Sequence, residues 1–273
     1  MTAKASRRCT QLVVLAFGAG ILLLLARSSA AALRNPSFFT GWCLAALVVG
    51  LLLLNLRKSL PFLPLGSAAA WLQVHLQLGA LGVILFFEHI GWRLPTGGLE
   101  GMLALVFTGT CFSGVVGLVL SRVLPPRMAR RGEPVIFERL PMLRRELYGR
   151  VETLVHDSIQ QTGSTTIAAF FHTRLMGFLG RPRHFWHHLV ESRGPWHSLE
   201  QEFANLDRYL NAEERRIVAE IVELARQKDH LDYQRAVQLV LKGWLFVHIP
   251  LGFSMGVLLL LHVVLVYAFM GGI

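Results

Sequence analysis

Residues 248–262 read HIPLGFSMGVLLLLH and lie within a long apolar run, residues 243–270. Their terminal histidines, His248 and His262, are 14 residues apart. At about 100° per residue, that spacing leaves the two side chains about 40° apart around a helix and about 21 Å apart along it. Residues 75–89, HLQLGALGVILFFEH, have the same layout, with His75 and His89 again 14 residues apart. Both stretches open His-x-x-Leu-Gly, which sets Gly79 and Gly252 one turn beyond the first histidine. Two apolar helices, each with two histidines on one face at one spacing, can clamp two flat cofactors between them. The flat cofactor that takes two axial histidines is haem.

The rest of the chain suits a membrane setting. It has 273 residues, 53% hydrophobic and only 16% charged, too apolar for an ordinary soluble domain. The excess is gathered into five blocks, residues 11–26, 41–56, 71–92, 101–123 and 243–270. The last three are long enough to cross a hydrocarbon core of about 30 Å, and the second spans if its flanks extend it. Residues 1–33 read as an N-terminal membrane helix or a signal: a basic start, an apolar centre and small residues at 29–32 fit either. The fold class expected is an all-α membrane protein, a four-helix transmembrane dihaem bundle with a helical cytoplasmic insert. Residues 34–124 supply three helices of the bundle, residues 125–242 form the insert, and residues 243–273 supply the last helix.

The net charge of +10 would suggest nucleic acid if its location were ignored. The basic residues lie where a membrane protein places them. Lys4, Arg7 and Arg8 precede the first block, Arg57 and Lys58 follow the second, and Arg122, Arg127, Arg130 and Arg131 close the fourth. The positive-inside rule therefore puts the N-terminus, the 55–70 loop and the insert in the cytoplasm, across a bacterial inner membrane, and nucleic acid is not an expected partner. In this topology the third and fifth blocks run parallel, so His75 pairs with His248 and His89 with His262. Four histidines within two membrane helices are costly unless each has a partner.

Other residues fit a cofactor between these helices. Gly79 and Gly82 in the third block, Gly114 in the fourth, and Gly252 and Gly256 in the fifth can let a porphyrin approach the backbone; small residues also pack membrane helices together. Pro250 is expected to bend the fifth helix near His248. Arg93 and Lys242 lie near opposite surfaces and can pair with haem propionates. Cys9, Cys43 and Cys111 are isolated, with no Cys-x-x-Cys-His for covalent haem attachment and no Cys-x-x-Cys for zinc or iron–sulfur.

The insert holds 18 basic and 15 acidic residues between positions 124 and 242. Pro141 can open a helix whose apolar positions Leu143, Leu147, Val151, Leu154, Val155 and Ile159 recur every three to four residues, with Gly163 at its end. Residues 164–179 either lie on the membrane surface or cap the domain core. Residues 180–195 read as loop-rich. Ser198 is expected to cap a helix over 199–210, and Asn211 with Glu214 to form a capping box. From about Asp232 the pattern runs into the fifth membrane helix. His184, His187 and His188 invite a metal reading, but the stretch HFWHH carries no intervening Glu and no third ligand, which favours a basic-aromatic surface. Gly-x-Gly-x-x-Gly, Gly-x-Ser-x-Gly and the phosphate loop are absent, so the insert reads as a docking or structural module.

On the two His-x13-His stretches the sequence resembles the dihaem core of cytochrome b from quinol–cytochrome c oxidoreductases, over residues 40–125 and 243–270. The resemblance implies that His75, His89, His248 and His262 are axial ligands of two b-type haems and that the protein moves electrons across the membrane. The family's Pro-Glu-Trp-Tyr motif is absent and the long insert is foreign to it. The expected function is transmembrane electron transfer between a quinone or cytoplasmic redox partner and a partner on the opposite face, within a complex with a soluble redox protein or further subunits. Two alternatives stand beside it: a reductase of extracytoplasmic metal or quinone acting alone, and a haem-free membrane scaffold or transporter.

Overall fold

The structure, a computed structural model, describes residues 36–59 and 66–270 together with Gly18, Gly20 and Leu24. The choice between a signal and a retained helix at residues 1–33 lies outside the described residues. Among them every regular element is helical. The membrane-type helices are α1 (Pro36–Ser59), α2 (Ala68–Ile90) and α3 (Gly98–Arg130). There follow α4 (Leu140–Thr162), α5 (Thr166–Phe170), a π-helical turn (Phe171–Leu175), α6 (Met176–Gly180), α7 (Phe185–Leu189), α8 (Gly194–Leu206) and α9 (Ala212–Met270). Short 3₁₀ turns at Phe137–Arg139 and Asp207–Tyr209 precede α4 and follow α8.

The chain divides into two compact units, Met1–Val116 with Phe246–Ile273, and Gly117–Leu245. The divisions fall inside α3 and α9. Helix α3 continues through Pro125 and Pro126 to Arg130. Each proline removes one ladder hydrogen bond, freeing the carbonyls of Ser121 and Arg122; both residues are exposed. Helix α9 likewise runs unbroken through Pro250.

Four helices are long and apolar enough to cross a membrane, with candidate spans in Ser37–Leu54, Ala68–Ile90, Gly98–Arg130 and Ala212–Phe269. In the membrane unit they enclose a core of Leu44, Val48, Leu85, Phe107 and Met255. The Phe86 and Phe107 rings stack across α2 and α3 with centroids 4.3 Å apart. Large apolar side chains such as Leu105, Phe112, Phe246, Val257 and Phe269 remain exposed. In water such a surface would be a liability; in lipid it is the natural outer face. Ser67 caps α2 by accepting from the Ala70 N–H, and Gly91, in the left-handed region at φ 60°, ends it.

The second unit has its own core, built from Leu147, Val151 and Val155 of α4 and Ile217, Ile221 and Leu224 of α9, among others. Pro141 starts α4, and Gly163 ends it at φ 67°. Ile167, Phe171, Leu175 and Leu179 are all core residues, so residues 164–179 complete the domain interior rather than lie on a membrane. Helix α8 begins at Gly194, with Pro195 in its first turn. Ser198 is therefore inside the helix and not its cap: the fixed φ of Pro195 starts the helix a turn earlier than expected. The Asn211–Glu214 capping box is present, each side chain accepting the other's backbone N–H at 2.9 and 2.8 Å. No Gly or Pro interrupts residues 212–242, so the helix starting there and the last membrane helix are one element.

Candidate cofactor site

Helices α2 and α9 bring the four histidines together in the order that parallel helices require. The rings of His75 and His248 lie edge to face, with centroids 6.3 Å apart and planes 73° apart. Metal–imidazole nitrogen bonds are about 2.0–2.1 Å long, so two imidazoles bound in line to one metal have centroids about 6 Å apart. The observed separation matches that arrangement. His89 and His262 line one cavity of about 610 Å³, within the range of small-molecule and cofactor sites, about 300–1,000 Å³. Its wall also includes Phe38, Trp42, Phe107 and Tyr267, and Arg93 and Glu100 lie on its border.

For His89 and His248 a polar neighbour on another helix defines the setting of the ring. His89 Nδ1 lies 3.1 Å from the Ser37 carbonyl oxygen and 3.3 Å from Thr40 Oγ1. A carbonyl only accepts, so Nδ1 carries the proton and Nε2 is the nitrogen with a lone pair. His248 Nδ1 lies 3.3 Å from Ser113 Oγ, and a hydroxyl can accept from a protonated Nδ1 or donate to a bare one. Metal-bound histidines are commonly held in this way through the second ring nitrogen. Gly41 faces His89 directly: a Cβ there would lie 3.0 Å from the ring's Cε1.

The other sequence-expected residues divide into several groups. Gly82 is buried, yet a Cβ added to it would meet nothing within 4 Å. Seven residues separate it from His75 on one side and from His89 on the other, so it shares their face of α2 beside open space. Gly79 also has open space next to it. Gly114 faces His248, whose Cε1 would be 3.7 Å from an added Cβ. Gly252 and Gly256 sit against Leu52 of α1 instead, at 3.7 and 3.0 Å, and so serve helix packing. Arg93 borders the His89–His262 cavity. Lys242 is engaged within the second unit, 2.7 Å from Glu138 Oε1 and over the Phe137 ring.

Ser37, Thr40, Gly41 and Ser113 are absent from the sequence-derived site. Their signal was faint: a Ser-x-x-Thr-Gly and a Ser-Gly inside apolar spans, where small residues usually serve packing. In the second unit, His184 and His187 stack edge to face at 5.7 Å, while His188 is buried beside Asp229, 3.8 Å away. No group of three or more His, Cys, Asp or Glu side chains among the described residues could hold a metal ion. No family model, no curated protein and no solved structure matches this chain.

Proposed function

We propose that this protein is an integral membrane b-type cytochrome that passes electrons across the bilayer through two haems, one held by His75 and His248, the other by His89 and His262. The observation that carries the reading is the pairing of all four histidines between α2 and α9, in two levels, with Nδ1 of His89 and His248 engaged elsewhere. When bound, haem supplies a one-electron Fe(III)/Fe(II) couple, and two histidine ligands per iron favour electron transfer over oxygen activation. The chain's own residues do the rest. The Ser37 carbonyl and Ser113 hydroxyl orient two of the imidazoles, Gly41 and Gly82 leave space, and the apolar walls exclude water. Arg93 is placed to pair with a propionate at the cavity border.

The distribution of basic residues supports an inner-membrane orientation with Gly117–Leu245 in the cytoplasm and the His89–His262 level toward the opposite face. In this reading electrons enter or leave at the His75–His248 level through a quinone or a cytoplasmic redox protein. A partner on the far side exchanges them at the other level.

The test is a reduced-minus-oxidised absorbance spectrum of the purified full chain with pyridine haemochrome quantitation. Two b haems per chain are expected, and His89→Ala or His248→Ala should each leave one. A folded protein that stays colourless after expression with ample haem would overturn the proposal and favour a membrane scaffold or transporter.

A further inference from the structure

Among the described residues of the membrane unit, the buried polar side chains are Thr40 and Ser113. Both lie against a histidine of the candidate site. A hydroxyl inside an apolar bundle needs a partner, and placing it there costs free energy unless that partner is good. Thr40 has two: its Oγ1 donates to the Ser37 carbonyl at 3.2 Å and approaches His89 Nδ1. His89 also has the Ser37 carbonyl itself, a backbone group that no side-chain substitution removes. Ser113 differs. Its hydroxyl, from α3, meets the Nδ1 of a histidine 135 positions away on α9.

On this basis, and resting on the haem reading above, we propose that Ser113 is the positioning residue of the His75–His248 level. It holds the His248 ring plane and thereby tunes one haem independently of the other. With Nε2 given to a haem iron, Nδ1 would keep its proton and donate a hydrogen bond to the Ser113 oxygen. That bond pushes electron density into the imidazole and makes it a stronger donor to ferric iron. It also contributes to the 73° angle between the His75 and His248 planes. At the adjacent Gly114, an added Cβ would meet His248 at an ordinary 3.7 Å, so that position does not wedge the ring.

The test uses the full chain in detergent or nanodiscs, with wild type, Ser113→Ala and Ser113→Thr. Wild type is first shown to hold two haems; a colourless wild type would sink the haem reading itself before Ser113 is reached. His248→Ala, which keeps only the other haem, identifies which midpoint potential belongs to which level. Ser113→Ala is expected to move the His75–His248 haem toward the reduced form by threefold to tenfold, a rise of about 30–60 mV for one electron. The other haem should stay in place, and Ser113→Thr should restore the wild-type value. The low-spin ferric EPR signal of the affected haem should also change shape, since the angle between axial ligand planes sets its anisotropy. Loss of that haem alone in Ser113→Ala, with retention in Ser113→Thr, would support the same assignment. Unchanged potentials with both haems retained, an equal shift of both, or haem loss in both variants would overturn it.

Discussion

In Gly117–Leu245 the buried polar side chains are Ser158, His188, Glu214, Lys228, Asp232 and Gln234; in the membrane unit, among the described residues, they are Thr40 and Ser113. The first group mainly binds its own unit together. Lys228, with no exposure at all, donates to Asp232 Oδ2 at 2.7 Å, and its ammonium sits over the Phe178 ring at 3.9 Å. Gln234 accepts from the Val135 N–H and donates to the Glu133 carbonyl. Glu214 closes the capping box. The membrane group does something different, since both hydroxyls lie against histidines that share space with other histidines. Burial of a polar group is therefore not one signal. Where partners are local and saturated the group specifies the fold; where they converge on groups facing a shared space, they set up a site.

The strongest way to break this contrast is to remove Asp232. The same carboxylate oxygen accepts from Lys228 and from the Arg183 N–H, at 2.7 and 3.0 Å. Asp232→Ala strands a buried ammonium, and removing one partner of a buried ion pair costs about 3–5 kcal/mol. The expected outcome is early unfolding of the Gly117–Leu245 unit, followed by tryptophan fluorescence of the full chain against denaturant. The double variant Lys228→Met with Asp232→Leu should recover most of the loss, because the pair is replaced by apolar volume. A single-variant loss below about 1 kcal/mol, the scale of an exposed pair, would mean that Lys228 reaches water and is not a fold-specifying contact.

The four histidines were legible because a fixed helical period and parallel helices leave little freedom: spacing alone determines the face, and direction determines the pairing. Their supports were not legible. Ser113 and Thr40 are small residues in apolar runs, and only the neighbouring helix turns them into hydrogen-bond partners. Gly41 is similar, since its meaning depends on His89 lying 3.0 Å from where a Cβ would be. The buried Lys228–Asp232 pair is hidden for another reason. An i, i+4 charge pair on a helix usually faces solvent, and only the fold shows that α9 turns this one inward. Lys242 illustrates the converse, a cation near a membrane end that the chain uses on Glu138. Local signals such as the Asn211–Glu214 box and Pro141 at a helix start survived intact, because they need no distant partner.

A smaller effect is expected at Gly117, where an added Cβ would overlap the Trp244 indole. Unlike Gly114, Gly117 has a rigid ring pressed onto its Cα. Gly117→Ala should destabilise by about 1–3 kcal/mol, the usual range for overpacking, as read by a lower thermal midpoint. Gly117→Ala with Trp244→Leu should regain part of it. Gly114→Ala, which meets only an ordinary contact, should be close to neutral for stability. If the two alanine variants behave alike, glycine at these positions serves helix propensity or lipid packing rather than a specific close approach.

The subtlest test concerns acid. Burial pushes the His188 imidazole below its ordinary pKa, and does the same to His184 and His230. The groups around His188 are Asp229, Asp232, His184 and Lys228, with the Tyr233 ring 6.3 Å away. A histidine depressed in the folded state binds its proton more readily when unfolded. Stability is therefore full above the ordinary value of about 6.5 and is lost as pH falls below it toward the folded value. Asp229 works against this, since burial raises its carboxyl; its folded form gains stability only as pH falls into the carboxylate range. The histidines carry the loss, so the midpoint of the Gly117–Leu245 unit should drop as pH falls below about 6.5. His188→Gln should make that slope shallower. An unchanged slope would show that His188 takes up its proton at no cost by closing the 3.8 Å gap to Asp229. The buried histidine would then be a satisfied ion-pair partner in acid.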